Sequence, residues 1–206
     1  MVEQKLLQKS IFSQQTSKFR RNIELHRFAR FLNKIVPREK KVIFVGIGDP
    51  KVHADYVGPK SIALLQYFMD SIPMYGNLLV PVKGGNTNEY AKKLREKYPD
   101  TIIIGIDATI GKAETGTILV SNCPVKPGSG VNLHYNPMGD VSILGVIGES
   151  AGLVMTKQND GAIDRMAAFI ADAIILWVTK YRHQGLTDGD FFEKAPFTPI
   201  MRKEYK

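Results

Sequence analysis

The stretch KVIFVGIGDPKVHADYVGPKSIALLQYF, residues 41–68, sets the expected fold class of this chain. Its first part, KVIFVGIG, is a short apolar run rich in β-branched residues and bounded by glycine, the pattern of a strand buried on both faces. From Gly58 and Pro59 onward the apolar positions repeat at helical spacing, and a proline near the start of a helix gives up an N–H that would lack a partner there. A strand, a polar loop and a helix in succession make the first half of a β-α-β unit.

Working outward, NLLVPV (residues 77–82) reads as a second strand and NEYAKKLREKY (88–98) as a helix. TIIIGID (101–107) is the most convincing buried strand, and GTILVSN (116–122) and GDVSILGVIG (139–148) follow around a proline- and glycine-rich connection. Residues 160–182 form a long apolar-faced helix carrying the only tryptophan, Trp177. Ahead of all this, residues 18–35 place Phe19, Ile23, Phe28, Phe31, Leu32 and Ile35 at helical spacing, and Pro37 ends the pattern. The expected architecture is α/β: a three-layer α/β/α domain with a mainly parallel sheet over residues 41–183, an N-terminal amphipathic helical extension over 1–40, and a tail over 184–206.

The totals are consistent with one sizeable core, since 44% of the 206 residues are hydrophobic. The single cysteine, Cys123, has no internal disulfide partner and reads as structural. With no apolar signal-peptide core in MVEQKLLQKS, a reducing cytoplasm is the expected location. The longest apolar stretch, AAFIADAIILWV, is interrupted by Asp172 and falls short of the roughly 20 residues a bilayer requires, so no membrane association is expected. The net charge of +8 is concentrated in KFRRNIELHRFARFLNKIVPREKK and MRKEYK. Without interleaved aromatics this argues for a solvated basic helix rather than a nucleic-acid platform.

In a parallel sheet the loops at the carboxyl ends of the strands gather at one edge, where ligands bind. Two acid-bearing loops, after Gly48 and after Ile106, are therefore expected to meet. A phosphate cradle is disfavoured: Val52 stands where G-x-G-x-x-G needs its third glycine, no G-K-[ST] follows, and Asp49 and Asp55 would repel the anion. Asp55 and Asp107 instead form a candidate carboxylate pair, in which one member keeps a proton and the other activates water. Asp55 as a helix cap and Asp107 as a turn acceptor is the alternative. A divalent metal held by His53, Asp55, Asp107 and His134 is a third reading, without a motif that fixes its geometry.

The motifs resemble a known family. GDPKVHADYVGP resembles the G-x-x-x-x-x-x-D-x-x-G-P motif of the YyaC-type sporulation proteins (DUF1256), relatives of the spore germination protease. IDATIG resembles their I-D-A-x-x-G, PVKPGSGVN their K-P-G-x-G-V, and MGDVSILGVIGESAG their G-D-[IV]-x-I-x-G. The resemblance implies a single phosphorylase/hydrolase-like α/β/α domain, shared more remotely with the hydrogenase maturation endopeptidases. It maps the two aspartates of the germination protease onto Asp55 in ADYVGP and Asp107 in IDATIG. The maturation endopeptidases, with acids and a histidine around nickel, keep the metal reading as the alternative.

The expected activity is therefore a peptidase or other hydrolase acting on a protein or peptide substrate, with Asp55 and Asp107 catalytic and no cofactor. Gly48, Asp49, His53 and Gly58, with Thr109 and Lys112, are the expected substrate-binding residues: the glycines admit backbone, and Thr109 or Lys112 polarises a carbonyl. The alternative is a non-catalytic sporulation-related binding or regulatory protein that keeps the fold and holds a partner through its basic helix and tail; a homo-oligomer is left open. A further expectation places the N-terminal helix over the acid edge as an inhibitory segment.

Overall fold

The computed structural model describes residues 7–13, 18–129, 133, 135–149 and 161–182. Strands β1 (Lys9–Ser13), β2 (Val42–Gly46), β3 (Met74–Tyr75), β4 (Ile102–Ile110), β5 (Thr117–Ser121) and β6 (Val141–Gly148) form one six-stranded sheet in the order β1-β5-β6-β4-β2-β3. The pairs β2–β3, β2–β4 and β4–β6 are parallel, whereas β5–β6 and β1–β5 are antiparallel. The mainly parallel α/β architecture expected from the sequence is the one observed.

Helices α1 (Lys18–Ile35), α2 (Val57–Phe68) and α4 (Ala162–Trp177) lie on one face, and α3 (Gly84–Lys97) lies on the other. Strand β2 shows why both faces are dry near its middle: Val42 and Phe44 enter the three-helix side, and Ile43 and Val45 enter the α3 side. The apolar α4 is central on its face, with Phe169, Ile170, Ile174 and Trp177 all fully buried. Each such side chain contributes about 1.5–3 kcal/mol by leaving water.

Helix α1 belongs to the same core. Its Phe28 meets Phe169 of α4 at 6.2 Å and Phe12 of β1 at 5.0 Å between ring centroids. Leu25, Ala29, Leu32 and Ile35 are buried beside it. The inhibitory placement is corrected by this packing: α1 sits on the three-helix face, away from the acids. Strand β1, which the sequence reading did not foresee, adds to the sheet edge through β5, Phe12 pairing with Ile118.

Two other expectations are corrected. NLLVPV is not a strand: the sheet takes only Met74–Tyr75 there, and Asn77 Oδ1 accepts from the N–H groups of Leu79 (3.0 Å) and Val80 (2.8 Å), bending the chain. Leu79 is consequently 90% exposed, so its apolar character reports no burial. Nor does the strand TIIIGID stop at Asp107. β2 ends opposite Ile106, but β6 continues alongside, with Asp107 opposite Leu144 and Thr109 opposite Val146. Asp107 is thus a strand residue, not a loop residue.

Candidate active site

Beyond β2, Ile47 N donates to Ile106 O at 2.8 Å and Gly48 N to Val82 O at 2.9 Å, so the chain stays anchored to its neighbours as it leaves the sheet. Residues 49–52 then turn, and Val52 O accepts from Asp55 N at 2.8 Å, which brings Asp55 back over Gly48. At Gly48, φ is +141°, and a Cβ would lie 2.0 Å from Asp55 O. Only glycine admits this close return.

Asp55 does not cap α2, whose first turn lacks a side-chain cap at Tyr56. Its Oδ2 accepts the N–H of Asp49 at 2.7 Å instead. Asp107 Oδ1 accepts from Ala108 N at 2.8 Å. By strand alternation Asp107 shares the α3 face of β4 with Ile103, and Asp55 and Asp107 both line a cleft of about 500 Å³ on that face. Lys83 and Gly84 at the start of α3, residues 124–129 with Leu133 and Tyr135, and the floor residues Ser121 and Ser142 contribute to its outline.

The electrostatics are graded. Asp107 is 6% exposed, and burial, reinforced by the nearby Asp55 charge, pushes its carboxyl well above the ordinary carboxylate range. Burial also raises Asp55, with Asp49 adding repulsion, while the N–H it accepts opposes the rise. Asp49 is held below the usual range, first by the hydrogen bond from the Lys83 ammonium and then by the Lys51 N–H. Asp49 is thus anionic at neutral pH, and Asp107 is the carboxyl that holds its proton longest.

Of the residues singled out in the sequence, Gly48, Asp55, Asp107 and Thr109 line this cleft. The Thr109 hydroxyl donates to Ile110 O at 3.4 Å. Asp49 touches the site through its main chain, its carboxylate being turned to Lys83 at 2.7 Å. His53 is exposed beside Tyr56, and Lys112 is exposed; neither lines the cleft. Gly58 is buried, with a would-be Cβ 2.4 Å from both Ile47 O and Ile106 O, so its lack of a side chain serves helix-to-sheet contact and not substrate approach.

His134 lies outside the described residues, as does the tail over 184–206. Among the described residues no group of three or more His, Cys, Asp or Glu side chains is placed to hold a metal ion, and no histidine lines the cleft. Of the four candidate metal ligands, Asp55 and Asp107 line the cleft and His53 does not, while the fourth, His134, is the one outside the described residues. Among the same residues, no helix is long and apolar enough to cross a membrane.

The sequence reading missed Lys83 and the pair Ser121–Ser142. Lys83 directly follows the apolar run 77–82, at the same sheet edge as the acids, which is a local signal that was available. The two serines lie opposite each other in the β5–β6 register with hydroxyls 2.8 Å apart, and only the pairing of distant strands reveals that.

The fold and the cleft define an α/β/α protein that brings a buried and a half-buried carboxyl together beside the carboxyl ends of parallel strands. The family described as "Protein of unknown function (DUF1256)" matches residues 17–172, and the chain belongs to it. It is 25% identical over 168 residues to the "Uncharacterized protein YyaC" of Bacillus subtilis (strain 168), covering 79% of this chain and 77% of that one. It is also 25% identical over 137 residues to the germination protease of Clostridium perfringens (strain SM101 / Type A), covering 57% of this chain but 42% of the protease. The chain thus spans less than half the length of that distant relative. Among solved structures, the [NiFe] hydrogenase maturation protease HycI from Thermococcus kodakarensis KOD1 covers 70% of this chain and 99% of its own, with a TM-score of 0.45 and 16% identity.

Proposed function

We propose that the chain is a peptidase in which Asp55 and Asp107 divide the work of activating water against a peptide carbonyl. The observation that carries this reading is the unequal carboxyl pair, one member buried and proton-holding, the other half-buried and held by an N–H. Distant homology to a germination protease supports the same reaction class. Asp55, as the carboxylate, removes a proton from water while its oxygen adds to the carbonyl carbon. Asp107 donates its proton to the carbonyl oxygen; as the C–N bond breaks, the proton taken up by Asp55 passes to the leaving amine and a hydroxyl of the tetrahedral diol returns a proton to Asp107, restoring the pair. The pair acts on a protein or peptide able to enter the cleft beside α3.

The test is peptide turnover by Asp55→Asn and Asp107→Asn on a proteome-derived library. Each variant is expected to lose turnover by about 100-fold or more, the usual worth of a positioned acid or base. Unchanged turnover in either variant overturns the assignment.

A further inference from the structure

Lys83 has a fixed base. Its N–H donates to Asn86 Oδ1 at 2.8 Å, its carbonyl accepts from Asn86 N at 2.8 Å, and Asn86 Nδ2 donates to Pro81 O at 3.1 Å. From there Nζ reaches Asp49 Oδ2 at 2.7 Å, while Asp49 Oδ1 accepts from Lys51 N at 3.0 Å. Asp49 donates its own N–H to Asp55 Oδ2 at 2.7 Å. A continuous chain of contacts therefore runs from α3 through the 49–52 turn to the acid pair.

Asp49 plays two opposed parts. Its N–H favours the Asp55 carboxylate, but its own carboxylate repels that charge. An ammonium on Asp49 opposes this repulsion, which still raises Asp55, and holds the turn that carries the N–H. We infer that Lys83 is a positioning residue for the acid pair, acting through Asp49: it neutralises the Asp49 carboxylate and holds the 49–52 turn so that the Asp49 N–H stays on Asp55.

The charged groups around Asp55 are few. Among the described residues, Asp49 faces it from its own loop, Asp107 from β4 and Lys83 from α3, and Lys126 is the remaining charged side chain lining the cleft. On α2, Lys60 is engaged by Asp164 at 3.5 Å. Removing either member of the Lys83–Asp49 pair therefore leaves the other uncompensated beside Asp55, with opposite signs.

This inference deepens the acid-pair reading and rests on it, yet it can be measured without substrate. The experiment is a carbon-detected NMR titration of the Asp55 carboxyl in the full chain. Lys83→Met is expected to raise the Asp55 midpoint by roughly one pH unit, because an unneutralised carboxylate then faces it. Asp49→Asn, which keeps the N–H and frees the cation, is expected to lower it by a similar amount. Lys83→Arg should leave it near the native value, and the Lys83→Met/Asp49→Asn double variant should return it towards that value. Amide spectra check that each variant is folded.

Shifts of the same sign in both single variants would mean a merely loosened cleft and overturn the inference, as would no shift in either. Opposite shifts combined with unchanged turnover in Asp55→Asn would leave Lys83 as a positioning residue and remove the peptidase reading. Lost turnover in Asp55→Asn with an immobile midpoint would do the reverse.

Discussion

The two faces of the sheet are built to different ends. On one, α1, α2 and α4 seal a continuous apolar cluster running from Phe12 through Phe28 and Phe169 to Trp177. On the other, α3 is the only packed helix among the described residues; it covers β2 and the start of β4, while Asp107, Thr109, Ser121 and Ser142 line an open cleft. Strand β4 belongs to both: Ile104 and Ile106 point into the sealed side, and Asp107, between Ile106 and Ala108, points into the cleft. The contrast shows how a fold tolerates a buried carboxyl. One face supplies the apolar burial, and the other carries a group whose charged form is disfavoured by desolvation.

The largest expected effect breaks the sealed face. Phe169→Ala removes a fully buried ring that packs on Phe28, and should destabilise the protein by about 3–5 kcal/mol in urea unfolding. The titration of Asp55 in the folded fraction should be unchanged, since no α4 residue lines the cleft. A change in that titration would show the faces to be coupled.

Next, Gly48→Ala attacks the cleft face. The added methyl meets Asp55 O at 2.0 Å in a backbone conformation that side chains rarely adopt. A loss of about 1–3 kcal/mol is expected, accompanied by displacement of the Asp55 carboxyl resonance. A stability loss with an unmoved resonance would detach Gly48 from the site.

A smaller effect, with a defined pH dependence, comes from Asp107→Asn. In the native chain this carboxyl holds its proton above the ordinary value of 3.8, whereas unfolded it ionises near that value. The unfolded state thus binds fewer protons between the two values, and native stability falls as pH rises through this window. Asparagine abolishes the fall. The variant should melt higher than the native protein at neutral pH, by about 2 °C or more, with the gap closing below pH 3.8. A gap independent of pH contradicts the buried, proton-holding assignment.

The smallest effects are expected at His53→Ala and Lys112→Ala. Both side chains are exposed and outside the cleft, so each change should stay within about 0.5 kcal/mol in stability and leave peptide turnover unaltered. A large loss of turnover in either would extend the site beyond its present walls.

Much of this was legible in advance. KVIFV and TIIIG announce strands because buried parallel strands are continuous apolar runs, and the long helix ending at Trp177 announces itself by its periodicity. ADYVGP marked Asp55 through its place between strand and helix. NLLVPV misled for the converse reason: Leu79 and Val80 lie exposed at a turn held by Asn77, where hydrophobicity has no burial to report, and only Val82 enters the core.

The sequence by itself determined the four helices, the strands β2, β4, β5 and β6, and which residue types stand near the strand ends, because those signals are local. Tertiary structure decided the rest. Whether Asp107 faces α3 or the three-helix side depends on the parity of β4, and its burial depends on β6 outlasting β2 alongside it. The contact of Lys83 with Asp49 joins residues separated by 34 positions, and β1 reaches its place only by pairing with β5 across more than a hundred. Such pairings are free-energy choices of the whole chain, and no short window of sequence contains both partners.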